Sequence, residues 1–137
     1  MKILHTSDWH LGRTFHRHSL NEWHQRFIDE LIDYATAEKI DVLLISGDVY
    51  DSAHPSAETT ELLGKTLDRL ALAGIQVVLS AGNHDSARRL GYGAGTLARQ
   101  GIYPVTTLEE TFEPVELTRD DIRVRIYAVP YLNPRYY

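Results

Sequence analysis

The sequence predicts an α/β fold in which short parallel strands alternate with amphipathic helices and a β-hairpin follows near the end of the chain. Two observations carry that expectation. Three apolar, β-branched runs, at residues 2–7, 41–46 and 75–80, are separated by stretches of helical period. Each run also ends in a short motif built from Asp, Asn and His.

In order, residues 2–7 read as a first buried strand. Leu20, Trp23, Phe27, Leu31 and Tyr34 then recur at helical spacing, with Ser19 and Glu22 as a capping box. Residues 41–46 form the second strand. A second helix carries Leu62, Leu63, Thr66, Leu67 and Leu70, opens at Ser56 as N-cap and stops at Gly74. Residues 75–80 form the third strand. Strand, helix, strand, helix, strand implies right-handed crossovers and a parallel sheet, whose carboxyl edge is where ligands gather. After Ser86 a short helix runs to Leu97 or Arg99 with an interruption at Gly91, Tyr92 and Gly93, and residues 102–105 start another strand. Residues 112–117 and 122–129 alternate as a hairpin around a turn at 118–121. No internal repeat or low-complexity linker divides the chain, so residues 1–137 are expected to be one domain.

The motifs are Asp8-Trp9-His10, Gly47-Asp48-Val49-Tyr50-Asp51 and Gly82-Asn83-His84-Asp85. Any one of them is an ordinary way to cap a helix or close a turn. Three in order, after three strands, describe a two-metal phosphoesterase site, because a divalent cation needs several ligands that no single segment supplies. Asp8 and His10, two apart as a strand ends, can turn to one ion. Asp48 follows Gly47, where the backbone can approach closely, and its carboxylate can bridge two ions. Asn83 offers a neutral oxygen to the second. His84, one residue later, is expected to point toward a substrate and not a metal. Such mixed ligation suits manganese, iron or zinc better than calcium. Two ions roughly 3.5 to 4 Å apart can lower the pKa of a shared water and clamp phosphoryl oxygens during in-line attack.

The order D-x-H, G-D-x-x-D and G-N-H-D resembles the calcineurin-like metallophosphoesterase superfamily. The longer runs His5-Thr6-Ser7-Asp8-Trp9-His10-Leu11-Gly12, Ser46-Gly47-Asp48-Val49-Tyr50-Asp51 through Pro55-Ser56, and Ala81-Gly82-Asn83-His84-Asp85-Ser86 closely resemble the bacterial SbcD nucleases. The resemblance implies an α/β/β/α sandwich, of which this chain is the N-terminal half, and hydrolysis of DNA phosphodiesters by exonuclease and endonuclease action in repair and recombination. By similarity, Asp8 and His10 bind one manganese ion, Asp48 bridges and Asn83 binds the second. His84 acts on the leaving sugar oxygen, Asp85 orients His84, and Asp51 holds a loop or ligand from behind. An SbcC-type ATPase partner and a homodimer within the complex are implied too. The family completes its metal site with later histidines, in a Gly-His pair and a Gly-His-x-His segment. This chain has no Gly-His pair, and its only His-x-His, His16-Arg17-His18, precedes the first helix. The expectation is therefore a domain incomplete on its C-terminal side, whose isolated activity is open. Two alternatives stand beside it: another metallophosphoesterase, such as a protein phosphatase or nucleotide phosphodiesterase, and an inactive structural fragment of the nuclease.

Composition is compatible with this. A chain of 137 residues, 43% hydrophobic, can bury one core. No stretch approaches the roughly 18 apolar residues of a membrane span, and the catalytic-type residues near Met1 argue against a cleaved signal peptide. Absence of cysteine removes disulfides and thiolate sites, leaves His and carboxylate chemistry, and suits a cytoplasmic location. The net charge of −5 is acidic for a DNA-binding protein, yet two divalent ions would bring it near −1. Arg13, Arg17, Arg88 and Arg89, with His16, flank the motifs and are candidate DNA contacts, against the plain alternative of solvated loop residues. His5 is expected to be a packed core histidine, His24 helix surface, and His18 and His54 loop residues. Tyr131, Tyr136 and Tyr137 are expected to be partly uncovered.

Overall fold

The computed structural model describes residues 1–135. In chain order the elements are β1 (Ile3–Ser7), β2 (Thr14–Phe15), β3 (His18–Ser19), α1 (Asn21–Ala37), β4 (Val42–Ser46), α2 (Ala57–Leu72), β5 (Gln76–Ser80), α3 (Ala87–Leu90), α4 (Ala94–Ala98), β6 (Ile102–Val105), β7 (Val115–Arg119) and β8 (Ile122–Ile126). The fold is the expected α/β arrangement with a terminal antiparallel hairpin. β1, β4, β5 and β6 pair in parallel in that spatial order.

A sheet that grows in one direction through crossovers of one hand puts its helices on one face. Leu43, Ile45, Val77, Leu79 and Ile102 accordingly pack with Ile28, Ile32 and Ala35 of α1 and Leu63, Leu67 and Leu70 of α2. The other face offers Val42, Val78 and Val105, and Leu117 of the β7–β8 hairpin lies against them. The central strands read as continuous apolar runs because both of their faces are buried.

The buried stripe of α1 differs from the one its aromatic spacing predicts. Ile28, Ile32 and Ala35 are buried, while Trp23, Phe27 and Tyr34 are exposed. The two stripes lie one residue apart and both satisfy the helical period, so periodicity cannot choose between them. Packing decides, since small aliphatic side chains let the helix come closer to the sheet. The predicted capping box is also absent. Leu20 occupies the N-cap position without a side-chain cap, and the Ser19 hydroxyl accepts the Asn21 amide instead. Ser19 is committed to β3, where it pairs with Thr14. Ser56 does cap α2, accepting the Thr59 amide at 3.1 Å.

Both long helices end in the same way. Ile40 N–H reaches Ala35 O and Ile75 N–H reaches Leu70 O, with Lys39 and Gly74 in left-handed conformation. Gly74 does this freely, whereas Lys39 carries a Cβ into it.

Three further departures are local. The β2–β3 ribbon has no signal in the sequence, because its two-residue turn uses His16 and Arg17 in place of an Asn-Gly pair. Residues 109–112 form a 3-10 turn, so Phe112 does not start a strand as expected; the Glu110 carboxylate draws in the amides of Thr106 and Thr107. The hairpin therefore begins at Val115, turns at Asp120 and Asp121, and ends its pairing at Ile126. Tyr131 is exposed, as are Tyr127 and Val129; Tyr136 and Tyr137 lie outside the described residues. No helix among the described residues is long and apolar enough to cross a membrane.

Candidate metal centre

The sheet register brings the three motifs together. Ser7 pairs with Ser46 and Ser46 with Ser80, so β1, β4 and β5 end side by side. Beyond the sheet the loops remain laced by backbone bonds, from Asp8 N–H to Gly47 O (3.2 Å), His10 N–H to Asp48 O (2.9 Å) and Gly47 N–H to Ser80 O (3.1 Å). Leu11 and Val49, both buried, anchor the lacing from below. These contacts hold an unusual backbone. Asp8, His10 and Asp48 have φ of 55°, 46° and 46°. A left-handed conformation costs a residue with a Cβ roughly 1–2 kcal/mol, and three such residues at one edge mark stored strain of the kind found at functional sites.

The donors that this backbone aims are close. His10 Nε2 lies 3.8 Å from Asp48 Oδ2 and 3.9 Å from Asp8 Oδ1. His10 Nδ1–H donates to Asp51 Oδ1 at 3.0 Å, which leaves the Nε2 lone pair facing the carboxylates when the ring is neutral. His84 Nδ1–H donates to the Asp51 carbonyl at 2.9 Å. Asp51 thus steadies both imidazoles, one through its side chain and one through its backbone. That carbonyl raises the His84 pKa above the ordinary histidine value, with partial burial opposing and the nearby carboxylates of Asp48, Asp51 and Asp85 assisting. One donor atom each from His10, Asp48 and His84 all fall within 4.8 Å of one another. The His10 and His84 rings meet edge to face at 4.9 Å.

Asp48 stands at the middle. Its side chain is 13% exposed; Oδ1 accepts the His84 amide at 3.0 Å, and Oδ2 faces His10. On its other side Asp8, Asp48 and Asn83 line one groove of about 290 Å³. Asp48 is therefore common to two donor groups, the His10–His84 pair and the Asp8–Asn83 groove. Gly82 makes room for it, because a Cβ there would stand 2.7 Å from Asp48 Cγ and closer still to Oδ1. Two imidazoles, carboxylates and an amide oxygen, with no thiolate, fit a divalent cation of intermediate hardness.

Several residues sit otherwise than the sequence implied. Asp85 does not hold His84. Its carboxylate accepts the amides of Gly82 (2.8 Å), Tyr50 (2.8 Å) and Val49 (3.1 Å), pinning the second motif to the third. His84 lies beside the His10–Asp48 pair and not turned away from it, because its amide and its ring are both tied to the second motif. His5 is exposed on the edge strand and meets Ser46 Oγ at 2.9 Å, because β1 has a neighbour on one side only. His24 is half-buried; burial lowers its pKa, with Asp51 opposing and His10 assisting, and its Nδ1 has no partner among the described residues. Arg13, Arg17, Arg88 and Arg89 are exposed, as are His16, His18 and His54. The sequence also did not reveal that Pro130 and Tyr131 wall the groove. They are placed there by Tyr131 N–H, which donates to Ala81 O at 2.7 Å, and no local pattern signals a contact so distant in the chain.

Residues 1–132 match the family described as calcineurin-like phosphoesterase. The chain belongs to that family. Phosphoesterases of this family imply divalent metal ions, and the meeting of His10 and Asp48, with His84 beside them, marks where this one would hold an ion. Similar curated proteins are named as the D component of nuclease SbcCD. The phosphoesterase is 37% identical to that of Staphylococcus saprophyticus over 132 residues, covering 96% of this chain and 34% of the relative. For Rhodobacter capsulatus identity is 36%, covering 97% and 36%, and for Staphylococcus epidermidis 33%, covering 96% and 34%. The chain spans about a third of the length of the curated relatives it matches.

Proposed function

We propose that this chain is the metal-binding, N-terminal part of an SbcD-like DNA phosphodiesterase, with residues 1–137 forming an incomplete nuclease domain. The observation that carries the reading is Asp48, shared between the His10–His84 pair and the Asp8–Asn83 groove. The relatives are named as the D component of nuclease SbcCD, which supports a nuclease that works beside a C component; DNA as substrate, exonuclease and endonuclease action in repair and recombination, and an SbcC-type ATPase as that partner belong to the proposal. Two Mn2+ ions, a homodimer within the complex and a cytoplasmic location complete the proposal.

In this reading Asp8, His10, Asp48 and Asn83 would hold the ions, with Asp48 common to both, and the remaining ligands would be contributed from outside these residues. Divalent ions there supply Lewis acidity toward the phosphoryl oxygens and the attacking water. The protein's own residues do the rest. Asp51 keeps the His10 lone pair on Nε2 and keeps Nδ1–H of His84 occupied, so that Nε2 of His84 is the atom that carries a proton to the leaving sugar oxygen.

The test, on the complete protein, is calorimetric titration of Mn2+ alongside cleavage of labelled duplex and single-stranded DNA, with SbcC-type partner present for cleavage. Asp48→Ala is expected to abolish both metal binding and metal-dependent cleavage. His84→Ala is expected to keep the metal while slowing cleavage roughly 10²- to 10⁴-fold. Metal loss in His84→Ala would move His84 into the ligand set.

A further inference from the structure

The β2–β3 ribbon stands directly on the candidate metal centre. Arg13 N–H donates to His10 O at 3.1 Å and Leu20 N–H closes the ribbon on Arg13 O at 3.1 Å, so the ribbon rises from the backbone of a candidate ligand. Its turn residues, His16 and Arg17, both have positive φ, 48° and 67°, the geometry of a tight two-residue hairpin whose twist matches that of its strands. The tip presents an aromatic ring to water. Phe15 is 65% exposed, paired across the ribbon with His18 and met edge-on by the His16 ring at 4.3 Å.

The charge around that ring is positive. No acidic residue occurs between Asp8 and Glu22 in a chain of net charge −5. Among the described residues Arg13 and Arg17 enter no salt bridge, as is also true of Arg88 and Arg89, whereas Arg69, Arg119, Arg123 and Arg125 all do. An exposed ring between unneutralised cations is the combination that binds single strands, because each base offers a face to stack on and each linkage a charge to neutralise. A folded partner protein would ask for a larger apolar surface than one ring on a two-residue ribbon offers.

We propose that the ribbon positions single-stranded nucleic acid at the metal centre, with Phe15 stacking on an unpaired base beside the scissile phosphodiester and Arg13 and Arg17 taking flanking phosphates. The proposal rests on the phosphodiesterase reading for its substrate class and adds a positioning residue to it. Phe15 acts on the strand and not on the reacting atoms, so its loss affects substrates with unpaired bases and spares those without.

The experiment uses short phosphorothioate single strands, each with 2-aminopurine at one position, a blunt duplex, and methyl para-nitrophenyl phosphate with Mn2+. Phe15→Ala is expected to weaken single-strand binding roughly 5- to 150-fold and to abolish the quenching of 2-aminopurine, while duplex binding and small-ester hydrolysis stay unchanged. Phe15→Tyr is expected to restore both. Arg13→Gln and Arg17→Gln are each expected to lower the slope of log affinity against log salt by about 0.7. Unchanged single-strand affinity in Phe15→Ala, or no strand binding by the wild type, would overturn the proposal. With the complete protein in these assays, strand binding that depends on Phe15 without any ester hydrolysis would support the ribbon and sink the phosphodiesterase reading instead.

Discussion

Replacing Asp85 with Ala separates two roles for the last residue of the third motif. If Asp85 acted by orienting His84, its loss would slow the reaction and leave the fold intact. In the structure its carboxylate instead accepts three backbone amides, from Val49, Tyr50 and Gly82. Hydrogen bonds to a charged group contribute about 1.5–3 kcal/mol each. The three share one acceptor group and water can reach part of the gap, so they do not add fully. The expected loss for Asp85→Ala is about 3–5 kcal/mol, a large share of the roughly 5–15 kcal/mol that holds a domain together. Asp85→Asn keeps one acceptor oxygen but turns an N–H toward an amide N–H, and about 1.5–3 kcal/mol is expected. Urea unfolding followed by Trp9 fluorescence measures this, since Trp9 is 5% exposed and sits in the same core as Val49 and Tyr50. An Asp85→Ala protein within about 1 kcal/mol of wild type would refute the assignment of Asp85 as the staple between the two loops.

Other perturbations test neighbouring features. Gly82→Ala drives a methyl group into Asp48 and is expected to weaken Mn2+ binding by at least about tenfold; calorimetry showing unchanged affinity would mean that Asp48 has room to move. Lys39→Gly relieves a left-handed residue at the end of α1 and is expected to raise stability by about 0.5–1 kcal/mol, read from the urea midpoint. For His24 the folded state resists protonation, so its pKa lies below the unfolded value of about 6.5. Below that pH the unfolded chain binds the extra proton, and stability falls as pH descends from about 6.5 through the lower folded pKa. The difference in stability between wild type and His24→Gln should therefore change across that window, and a flat difference would remove His24 from the account.

The reach of sequence reading here follows from the range of the forces involved. The three strands, the helix face of α2, its Ser56 cap and its Gly74 stop were legible because each depends on neighbours within a few residues. So was the meeting of the motifs, since parallel crossovers oblige successive strand ends to share an edge. α1 was legible as a helix but not in its facing, because Trp23 and Phe27 offer as good a stripe as Ile28 and Ile32 until the sheet is there to select one. The 3-10 turn at 109–112 hid behind an alternating pattern that Glu110 overrides with a carboxylate.

Residue type and spacing suffice for the fold class, the family signature and the kinds of donor available to a metal. They do not say which donor faces which. That Asp51 steadies both His10 and His84, that Asp85 staples loops and does not orient His84, that His24 loses its solvent, and that Tyr131 walls the groove emerge only once the chain is folded. All of these depend on contacts between distant parts of the chain, and the donor positions also on backbone strained into the left-handed region at Asp8, His10 and Asp48. Such a conformation is unfavourable locally and exists only because contacts from distant strands hold it.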